Sequence, residues 1–454
     1  MLIRFNVKNF LSFNSEDSET HENTSQEFSM IPGKVRSKEE HILKSSKQNL
    51  LKFAAIYGAN AAGKSNLIKA MDFFKKCTLL GVFPQQYSDR YCKINLTNKE
   101  KPSYFEAEFL INDEAYAYGF EIILNTGVFV SEWLCKLTPT KEVYLFKKEG
   151  PQQKYKFDGG LEKINVVNIL AKSFVESNGL FLNFINHTMA GFYKETPQAS
   201  ILQKAFNWIT QQLDINYPLH PLSTSTFWAN EEALSQASDL LKAFGTGIDK
   251  VEKIDVSLDK IAPFIPRDWI QNIVKQMELG NSPKNDIFIR NRGEIFVVRM
   301  EKGKKDKAYS IQFKHNFQED TLFKMAEESD GTARLFDLLE ILLSKSNKTY
   351  VIDELDRCLH PCLTYKFIEA FFKYTKNYNV QLIATTHESR LMDFDLLRRD
   401  EIWFVNKIGN GESHIYSLEQ YNERFDKKID KAYLEGRYGG TPLFTTLFPI
   451  SEES

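Results

Sequence analysis

Apolar and polar positions change their period several times along the chain, and each period predicts a different element. The first residues, MLIRFNVKNFLSF, alternate and predict an edge strand within residues 1–14. Residues 15–48 are polar and rich in charge, which predicts a long surface excursion. Residues 50–57 form an apolar run that stops at Gly58, so we expect a buried strand that feeds a tight loop. Helical spacing of apolar residues begins directly after Ser65.

The middle of the chain passes from strand periodicity to helix periodicity. Residues 103–134 alternate between apolar and polar positions, which predicts an antiparallel sheet layer that short strands continue to residue 160. A mostly helical lobe is then predicted, with helical spacing in residues 161–187, 197–213, 230–245 and 264–278. Strand patterns return in DIFIRNRGEIFVVRM and AYSIQFKH, which the lysine-rich turn EKGKKDK joins.

Strands and helices alternate after residue 330. The helix pattern TARLFDLLEILLSK precedes the apolar strand TYVID, and a second helix precedes the apolar strand VQLIATTH. Such alternation indicates a parallel sheet covered on both faces. We therefore predict an α/β fold whose two parts, residues 1–145 and 286–454, flank an inserted, mostly helical lobe at residues 146–285.

Composition and net charge limit the classes of function that the protein could have. The 454 residues are 42% hydrophobic and 26% charged, which is typical of a globular protein, and the net charge of −2 provides no global basic field for nucleic acid. No apolar run is long enough to cross a bilayer, and the N-terminal pattern is that of a strand, so we expect a cytoplasmic protein without membrane contact. The five cysteines favour free thiols, and no zinc-site spacing accompanies Cys358 and Cys362.

One local segment is basic. Residues 284–314 contain four acidic side chains and nine basic ones, namely Lys284, Arg290, Arg292, Arg299, Lys302, Lys304, Lys305, Lys307 and Lys314. Such a run is typical of a solvated hairpin tip, and a contact with a phosphate backbone is the alternative.

The strongest motif is GANAAGKS at residues 58–65, which fits G-x-x-x-x-G-K-[ST] between a predicted strand and a predicted helix. Glycines allow successive backbone N–H groups to converge on phosphate oxygens, and a helix N-terminus adds a favourable potential. Lys64 is expected to reach the β- and γ-phosphates, and the Ser65 hydroxyl to ligate Mg²⁺. The expected phosphate-binding residues are Gly58, Ala59, Asn60, Ala61, Ala62, Gly63, Lys64, Ser65 and Asn66.

Two further predicted strands end in side chains that could take part in catalysis. The strand TYVID ends at Asp353 and Glu354, which places both carboxylates at the carboxyl edge of a parallel sheet, where ligands bind. Asp353 is expected to hold the Mg²⁺ shell, directly or through water. Glu354 is expected to orient and polarise the attacking water. His387 follows the run LIATT and is expected at the same edge, within reach of the γ-phosphate.

The sequence ESDGT at residues 328–332 stands at a predicted helix start. Ser329 is suited to cap that helix. Its hydroxyl and the first amides of the helix are also suited to bind a phosphate. A phosphate held between residues 58–65 of one subunit and this helix of another would require a dimer.

These four elements, in this order and with a large insertion between the first and the fourth, resemble the ABC-type ATPase heads of the SMC, RecF and OLD group. KNFLSF is similar to the first strand of that group, SDGT to its signature, VIDELD to the Walker B strand with the D-loop, and TTH to the switch histidine. Together with DELDxxLHP and YLEGRYGGTP, they resemble AAA-family ATPases of the RloA/AbiL abortive-infection type. Related ATPases belong to the PARIS and Septu anti-phage systems. The resemblance covers about residues 1–145 and 286–445.

The resemblance implies a P-loop NTPase fold, with a mixed sheet and an antiparallel β layer, that hydrolyses ATP to ADP and phosphate with Mg²⁺. It implies catalytic roles for Lys64, Glu354 and His387, and magnesium ligation by Ser65 and Asp353. It also implies nucleotide contacts by the D-loop residue Asp356 and, across a dimer interface, by Ser329 and Gly331. The signature departs from the family pattern because SDGT replaces SGGQ, which leaves a contact by Asp330 open. For the Q-loop, Gln85 and Gln86 are candidates, with plain surface residues as the alternative.

The implied partners are a second copy, in a homodimer or higher even oligomer closed around nucleotide, and a separate effector protein. The stretch after His387 is long enough to finish the ATPase head and too short for an appended nuclease, so we expect the toxic activity on another chain, a Toprim-like or HNH nuclease. DNA or a phage protein is the expected trigger. The alternatives are a RecF/SMC-like ATPase of DNA repair or maintenance, a transporter subunit, and a nucleotide-gated scaffold that hardly hydrolyses ATP.

Overall fold

The computed structural model describes residues 1–14, 25–189, 193, 197–217, 231–261, 284–291, 293–301, 307–316, 321–421 and 429–439. The chain divides into two compact units. The first consists of Met1–Pro218, Ser346–Leu355 and Lys376–Ser454, and the second of Leu219–Lys345 and Asp356–Thr375. The first unit includes residues from both sides of the predicted boundary at 145/146, and the second includes residues from both sides of that at 285/286. The predicted division into 1–145, 146–285 and 286–454 stays a prediction.

The described strands are β1 (Leu2–Lys8), β2 (Gln26–Ser29), β3 (Ile42–Leu43), β4 (Leu50–Leu51), β5 (Phe53–Tyr57), β6 (Ser103–Ile111), β7 (Glu114–Ile123), β8 (Val128–Leu137), β9 (Glu142–Glu149), β10 (Lys156–Phe157), β11 (Leu213–Asn216), β12 (Ile248–Val256), β13 (Lys284–Asn291), β14 (Glu294–Glu301), β15 (Lys307–His315), β16 (Leu322–Phe323), β17 (Lys348–Ile352), β18 (Val380–Thr385), β19 (Ile402–Lys407) and β20 (Ser413–Ser417). The described α-helices are α1 (Lys64–Leu80), α2 (Asn165–Phe174), α3 (Phe181–Thr188), α4 (Ser200–Asn207), α5 (Glu231–Ala243), α6 (Leu258–Ile261), α7 (Asp330–Leu343), α8 (Pro361–Tyr374) and α9 (Ile429–Leu434).

An antiparallel sheet of the first unit has the order β10-β9-β8-β7-β6-β1-β2. Its strands alternate as the sequence predicts, and the apolar face packs on α1, where the rings of Phe73 and Phe105 lie 4.9 Å apart. The prediction of β1 as an edge strand is wrong. Residues 26–29, within the predicted polar excursion, form β2 and pair with β1 from Arg4 to Val7, so β2 takes the edge.

The other large sheet of the first unit has the order β11-β17-β18-β5-β19-β20. Its first five strands are parallel, and only β20 runs antiparallel. Every residue of β5 and β18 is buried, which explains their continuous apolar runs. The predicted fold class, a P-loop mixed sheet with an antiparallel β layer, is confirmed. The loops after β5, β17 and β18 therefore leave the sheet at one edge.

The carboxylate of Glu132 on β8 joins the antiparallel sheet to the helices of residues 165–207. Glu132 is 2% exposed and accepts four hydrogen bonds. Two come from the backbone N–H groups of Phe181 and Leu182, at 2.7 and 3.0 Å, and two from the hydroxyls of Tyr118 and Tyr155, at 3.0 and 3.1 Å. Burial raises the pKa of Glu132, and the four donors act in the opposite direction. Because the first N–H groups of a helix lack internal partners, Glu132 serves as a remote cap for α3.

Replacing Glu132 with glutamine is expected to lower the free energy of unfolding by about 1–3 kcal/mol. Each carboxylate oxygen accepts from one tyrosine and one backbone N–H. The amide nitrogen cannot accept, so one backbone donor stays buried without a partner. Urea unfolding monitored by circular dichroism measures the change. Glu142→Gln removes the same charge from an exposed position on β9 and is the control; equal midpoints for the two variants would refute the capping role.

The second unit contains the antiparallel order β12-β15-β14-β13, with β16 beside β15. The strands predicted in residues 286–315 are confirmed. Of the nine basic side chains in the segment, those of Arg299, Lys307 and Lys314 are described, and the other six side chains are not. The helical segment predicted at 264–278 lies outside the described residues. Contact of this segment with a phosphate backbone stays a prediction.

Candidate nucleotide-binding site

The loop between β5 and α1 has the backbone that the GANAAGKS motif predicts. Gly63 has a φ of 116°, and a Cβ atom at this position would lie 2.3 Å from Ser413 Oγ. At Gly58 a Cβ atom would lie 2.3 Å from the carbonyl oxygen of Val405. Only glycine fits either position. Asn60 and Ala61 at the tip of the loop are exposed.

Lys64 is the first residue of α1, and its side chain is folded back along the loop. The ammonium donates to the carbonyl oxygens of Gly58 at 2.7 Å and Ala59 at 3.2 Å, and the residue is 7% exposed. A cation and a helix N-terminus are thus fixed beside the same loop. Both favour an anionic ligand such as a phosphate.

Asp353 follows β17 and connects three segments of the sheet edge. Its Oδ1 atom accepts hydrogen bonds from the hydroxyls of Ser65 at 3.1 Å and Thr385 at 2.7 Å, and the residue is 5% exposed. A carboxylate and a hydroxyl are hard oxygen ligands, the type that Mg²⁺ prefers. Ser65 and Asp353 therefore fit a magnesium ion. The sequence analysis did not identify Thr385 as a site residue, although its position in LIATTH, at the end of a predicted strand, could have indicated that it lies at the site.

Glu354 has a left-handed backbone, with a φ of 51°, which is uncommon for a residue with a side chain. Its N–H donates to the Thr385 hydroxyl at 2.8 Å, and Leu355 N–H donates to the Thr385 carbonyl at 3.0 Å. Thr385 thus holds both Asp353 and Glu354. Strained backbone that its surroundings enforce is frequent at functional sites.

His387 follows β18 and is exposed. The residues on both sides of it are anchored to β5. Thr386 N–H donates to the carbonyl of Ile56 at 3.1 Å, and the Tyr57 hydroxyl donates to the carbonyl of Glu388 at 3.3 Å. His387 is consequently held at the edge of the sheet where β5, β17 and β18 end.

The strand β11 brings unpredicted residues to this edge. It pairs in parallel with β17, and Asp353 N–H donates to the carbonyl of Asn216 at 2.9 Å. Tyr217 follows; burial raises the pKa of its phenol, which hydrogen-bonds to Asp72. Gln85 and Gln86 are exposed on a short 3₁₀ helix, Gln85–Tyr87, and their role as Q-loop residues stays a prediction.

Part of the late element YLEGRYGGTP packs on the back of the loop. The Tyr433 ring lies 5.8 Å from Tyr57 and 5.7 Å from Phe404, and its phenol oxygen hydrogen-bonds to the backbone of Gly58. The carbonyl of Tyr438 accepts from the Tyr416 hydroxyl at 2.6 Å. Residues after 439 lie outside the described part of the chain.

The remaining predicted residues belong to the second unit. Ser329 caps α7, because its hydroxyl accepts from Thr332 N–H at 3.1 Å. Gly331 lies against the Cys358 carbonyl, which a Cβ atom would approach to 2.7 Å. Asp356 is half-buried, and its carbonyl accepts from Leu359 N–H at 3.0 Å. The local capping role of Ser329 is confirmed, and contacts of these residues with the nucleotide of a second subunit stay a prediction.

The sequence matches one family model over residues 53–393, which is well over half of the chain. The family is described as "AAA domain, putative AbiEii toxin, Type IV TA system". The chain belongs to this AAA-domain family. The match begins at the first residue of β5 and ends shortly after His387, so it contains the loop 58–65, Asp353, Glu354 and His387. Membership supports an ATPase of the AAA-domain type. ATP hydrolysis by this chain and its assignment to the ABC-type RloA/AbiL group stay predictions.

Solved structures of SMC heads show a distant similarity. An SMC head bound to the C-winged helix domain of ScpA is 14% identical, with a TM-score of 0.41, over 92% of this chain and 99% of that chain. The SMC head domain from Thermotoga maritima is 13% identical, with a TM-score of 0.33, over 92% and 98%. The SMC head domain with a coiled coil and joint from Pyrococcus yayanosii is 14% identical, with a TM-score of 0.38, over 96% and 99%. No curated protein matches the sequence.

No helix in the described part of the chain has both the length and the apolar character needed to span a bilayer.

Proposed function

We propose that the chain is a Mg²⁺-dependent ATPase subunit of an anti-phage abortive-infection system, which dimerises around ATP and thereby controls a separate toxic effector, a nuclease. The observation that supports the ATPase part best is the hydrogen-bonded group at Asp353. It joins the P-loop helix through Ser65 to the strand that leads to His387 through Thr385. The hydrogen bonds at Asp353 and Thr385 thus connect the phosphate loop and the candidate magnesium ligands to the segments that carry Glu354 and His387.

In this proposal the loop 58–65 binds the phosphates through its backbone N–H groups and Lys64. Ser65 and Asp353 hold Mg²⁺, which neutralises phosphate charge when it is bound. Glu354 orients the attacking water and accepts its proton, and His387 supports the γ-phosphate. Lys64 exchanges its bonds to the Gly58 and Ala59 carbonyls for bonds to phosphate oxygens. Ser329, Gly331 and Asp356 of a second copy complete the site.

In this proposal the effector is a separate chain, since the candidate site residues described above all serve to bind or hydrolyse a nucleotide. The family description, which names a toxin and a type IV TA system, supports a role in a toxic, tightly controlled response. In such a system, whether ATP or ADP is bound determines whether the effector is held or released.

A phage-plating assay on cells that carry the gene with its neighbouring reading frames tests the defence role. We expect plating to fall by orders of magnitude, and to recover fully when either this gene or the effector gene is deleted. The exposed-site variant Glu142→Gln is expected to protect like wild type. Protection by this chain alone would refute the separate effector, and unchanged plating with the complete locus would refute the defence role.

The basic segment at residues 284–314 supports a second candidate, a RecF/SMC-like DNA ATPase. The described side chain of Lys307 is exposed on β15 of the second unit. That function requires DNA binding that weakens steeply with salt, together with ATP turnover that responds to DNA. ATP turnover measured with and without DNA, together with filter binding at increasing salt, distinguishes the DNA ATPase from a defence ATPase that a phage protein triggers, because only the latter is expected to have DNA-independent turnover.

A further inference from the structure

Three polar side chains form a hydrogen-bonded clasp around the end of the phosphate loop. They are Ser12 from the turn after β1, Ser413 at the start of β20, and Asn66 in the first turn of α1. The Asn66 amide donates to Ser12 Oγ at 2.8 Å, the two serine oxygens lie 2.7 Å apart, and Ser413 Oγ donates to the carbonyl of Ala62 at 2.6 Å. We call these three residues the serine clasp.

Counting hydrogens fixes the direction of the bonds in the serine clasp. The Ala62 carbonyl can only accept, so the single hydroxyl hydrogen of Ser413 must point to it. Ser12 must then donate to Ser413, and it accepts in turn from the Asn66 amide. Every hydroxyl of the chain Asn66–Ser12–Ser413–Ala62 therefore donates once and accepts once, an arrangement in which each bond strengthens its neighbours.

The serine clasp encloses Gly63. A Cβ atom at Gly63 would lie 2.3 Å from Ser413 Oγ and 2.9 Å from Ser12 Oγ. The two hydroxyls thus occupy the space that only a glycine leaves open. Because the left-handed backbone at Gly63 directly precedes Lys64 and Ser65, the serine clasp acts on the part of the loop from which both side chains project.

The supports of the serine clasp are themselves fixed. Ser413 is 1% exposed, and its N–H donates to the Ser12 carbonyl at 2.8 Å. Two residues after Ser12 and one residue before Ser413, the Asn14 amide donates to the Glu412 carboxylate at 2.9 Å. The turn after β1 and the start of β20 are therefore bonded to each other independently of the loop. The phosphate loop is thus hydrogen-bonded to two segments that are also hydrogen-bonded to each other.

We propose that Ser12 and Ser413 are positioning residues, which hold the phosphate loop in its binding conformation before the nucleotide arrives. The proposal rests on the nucleotide-binding function proposed above. Binding to a loop that is already ordered avoids the entropic cost of ordering it. The hydrogen bonds of the serine clasp involve neither Asp353 nor Glu354, so we expect its loss to weaken ATP affinity much more than it slows the hydrolytic step.

Ser413→Ala in the full chain tests the proposal. The substitution removes two hydrogen bonds, so we expect the Kd for a non-hydrolysable ATP analogue with Mg²⁺ to rise about 10-fold, while kcat at saturating ATP changes little. Ser417→Ala on the same strand, whose hydroxyl accepts from Glu419 N–H, is the matched control and is expected to bind like wild type. Titration calorimetry and steady-state kinetics give the two quantities separately.

Ser12→Ala and the double variant test whether the residues act as a unit. A shared chain of bonds predicts that the double variant binds about as weakly as either single variant, whereas independent roles predict additive effects. Thermal unfolding without nucleotide shows whether the variants are folded. Wild-type affinity in folded Ser413→Ala, or a fall in kcat with unchanged Kd, would overturn the proposal. Absence of ATP binding by the wild type would refute the proposed ATPase function instead.

Discussion

Lys64→Ala is expected to weaken ATP binding by about 100-fold or more. The Lys64 ammonium is the cation of the phosphate loop, already placed 2.7 Å from the Gly58 carbonyl, and alanine leaves the bound phosphates without it. Loss of a hydrogen bond to a charged group corresponds to about a 10- to 150-fold weaker affinity, and two phosphates share this cation, so we expect the upper end. Titration with a fluorescent ATP analogue in the presence of Mg²⁺ measures the loss.

The matched control for this prediction is Lys69→Ala. Lys69 is exposed on the same helix, and its replacement removes the same charge without touching the loop. It is expected to bind ATP like wild type. If Lys64→Ala retained wild-type affinity, the phosphate loop would not be the nucleotide site, and both the ATPase function and the serine clasp proposal would fail with it.

Glu354→Gln is expected to retain ATP binding and to lower turnover by about 100- to 1000-fold. Glutamine keeps the shape of the side chain and can still bond a water molecule, but it cannot accept the proton that the water loses. General base catalysis typically contributes a factor of about 10² to 10⁴. Release of inorganic phosphate under single-turnover conditions measures the chemical step directly.

The stalled Glu354→Gln variant also tests the dimer. With ATP and Mg²⁺ we expect it to sediment as a dimer, since hydrolysis no longer separates the subunits, and as a monomer without nucleotide. Adding Ser329→Arg, at the exposed cap of α7, is expected to prevent pairing while each chain still binds ATP. Glu369→Gln, an exposed carboxylate of α8, is the control for both measurements.

Turnover at the wild-type rate in Glu354→Gln would exclude Glu354 as the base.

The sequence predicted those parts of the site that depend on neighbouring residues. The GANAAGKS loop, the strand before Asp353 and the strand before His387 each carry their signal within about ten residues, and each is found where it was expected. Parallel strands end at the same edge of a sheet, so the pattern of buried strands also predicted that Lys64, Asp353 and His387 would lie at one edge.

The parts that depend on contacts distant in sequence could not be predicted. Strand β2 pairs with β1, but only one of its four residues is buried, so its segment has no apolar pattern that would predict a strand. For this reason β1 was wrongly predicted to be the edge strand. Strand β11 has four residues and lies within the predicted helical lobe. Glu132 and Ser413 resemble ordinary strand residues, and only the fold reveals that one caps α3 and the other holds Gly63.

Strand order has a consequence for biosynthesis. Strand β5 lies between β18 and β19, with Ala54 opposite Ile383 and Ala55 opposite Ile402, so its neighbours are made long after it leaves the ribosome. At roughly 5–20 residues per second, the nascent chain carries an unpartnered apolar strand for tens of seconds. A half-made molecule has a phosphate loop but no Asp353 to complete it. The candidate site is therefore assembled only after residue 387 has been made, because Lys64, Asp353 and His387 come from segments that are far apart along the chain.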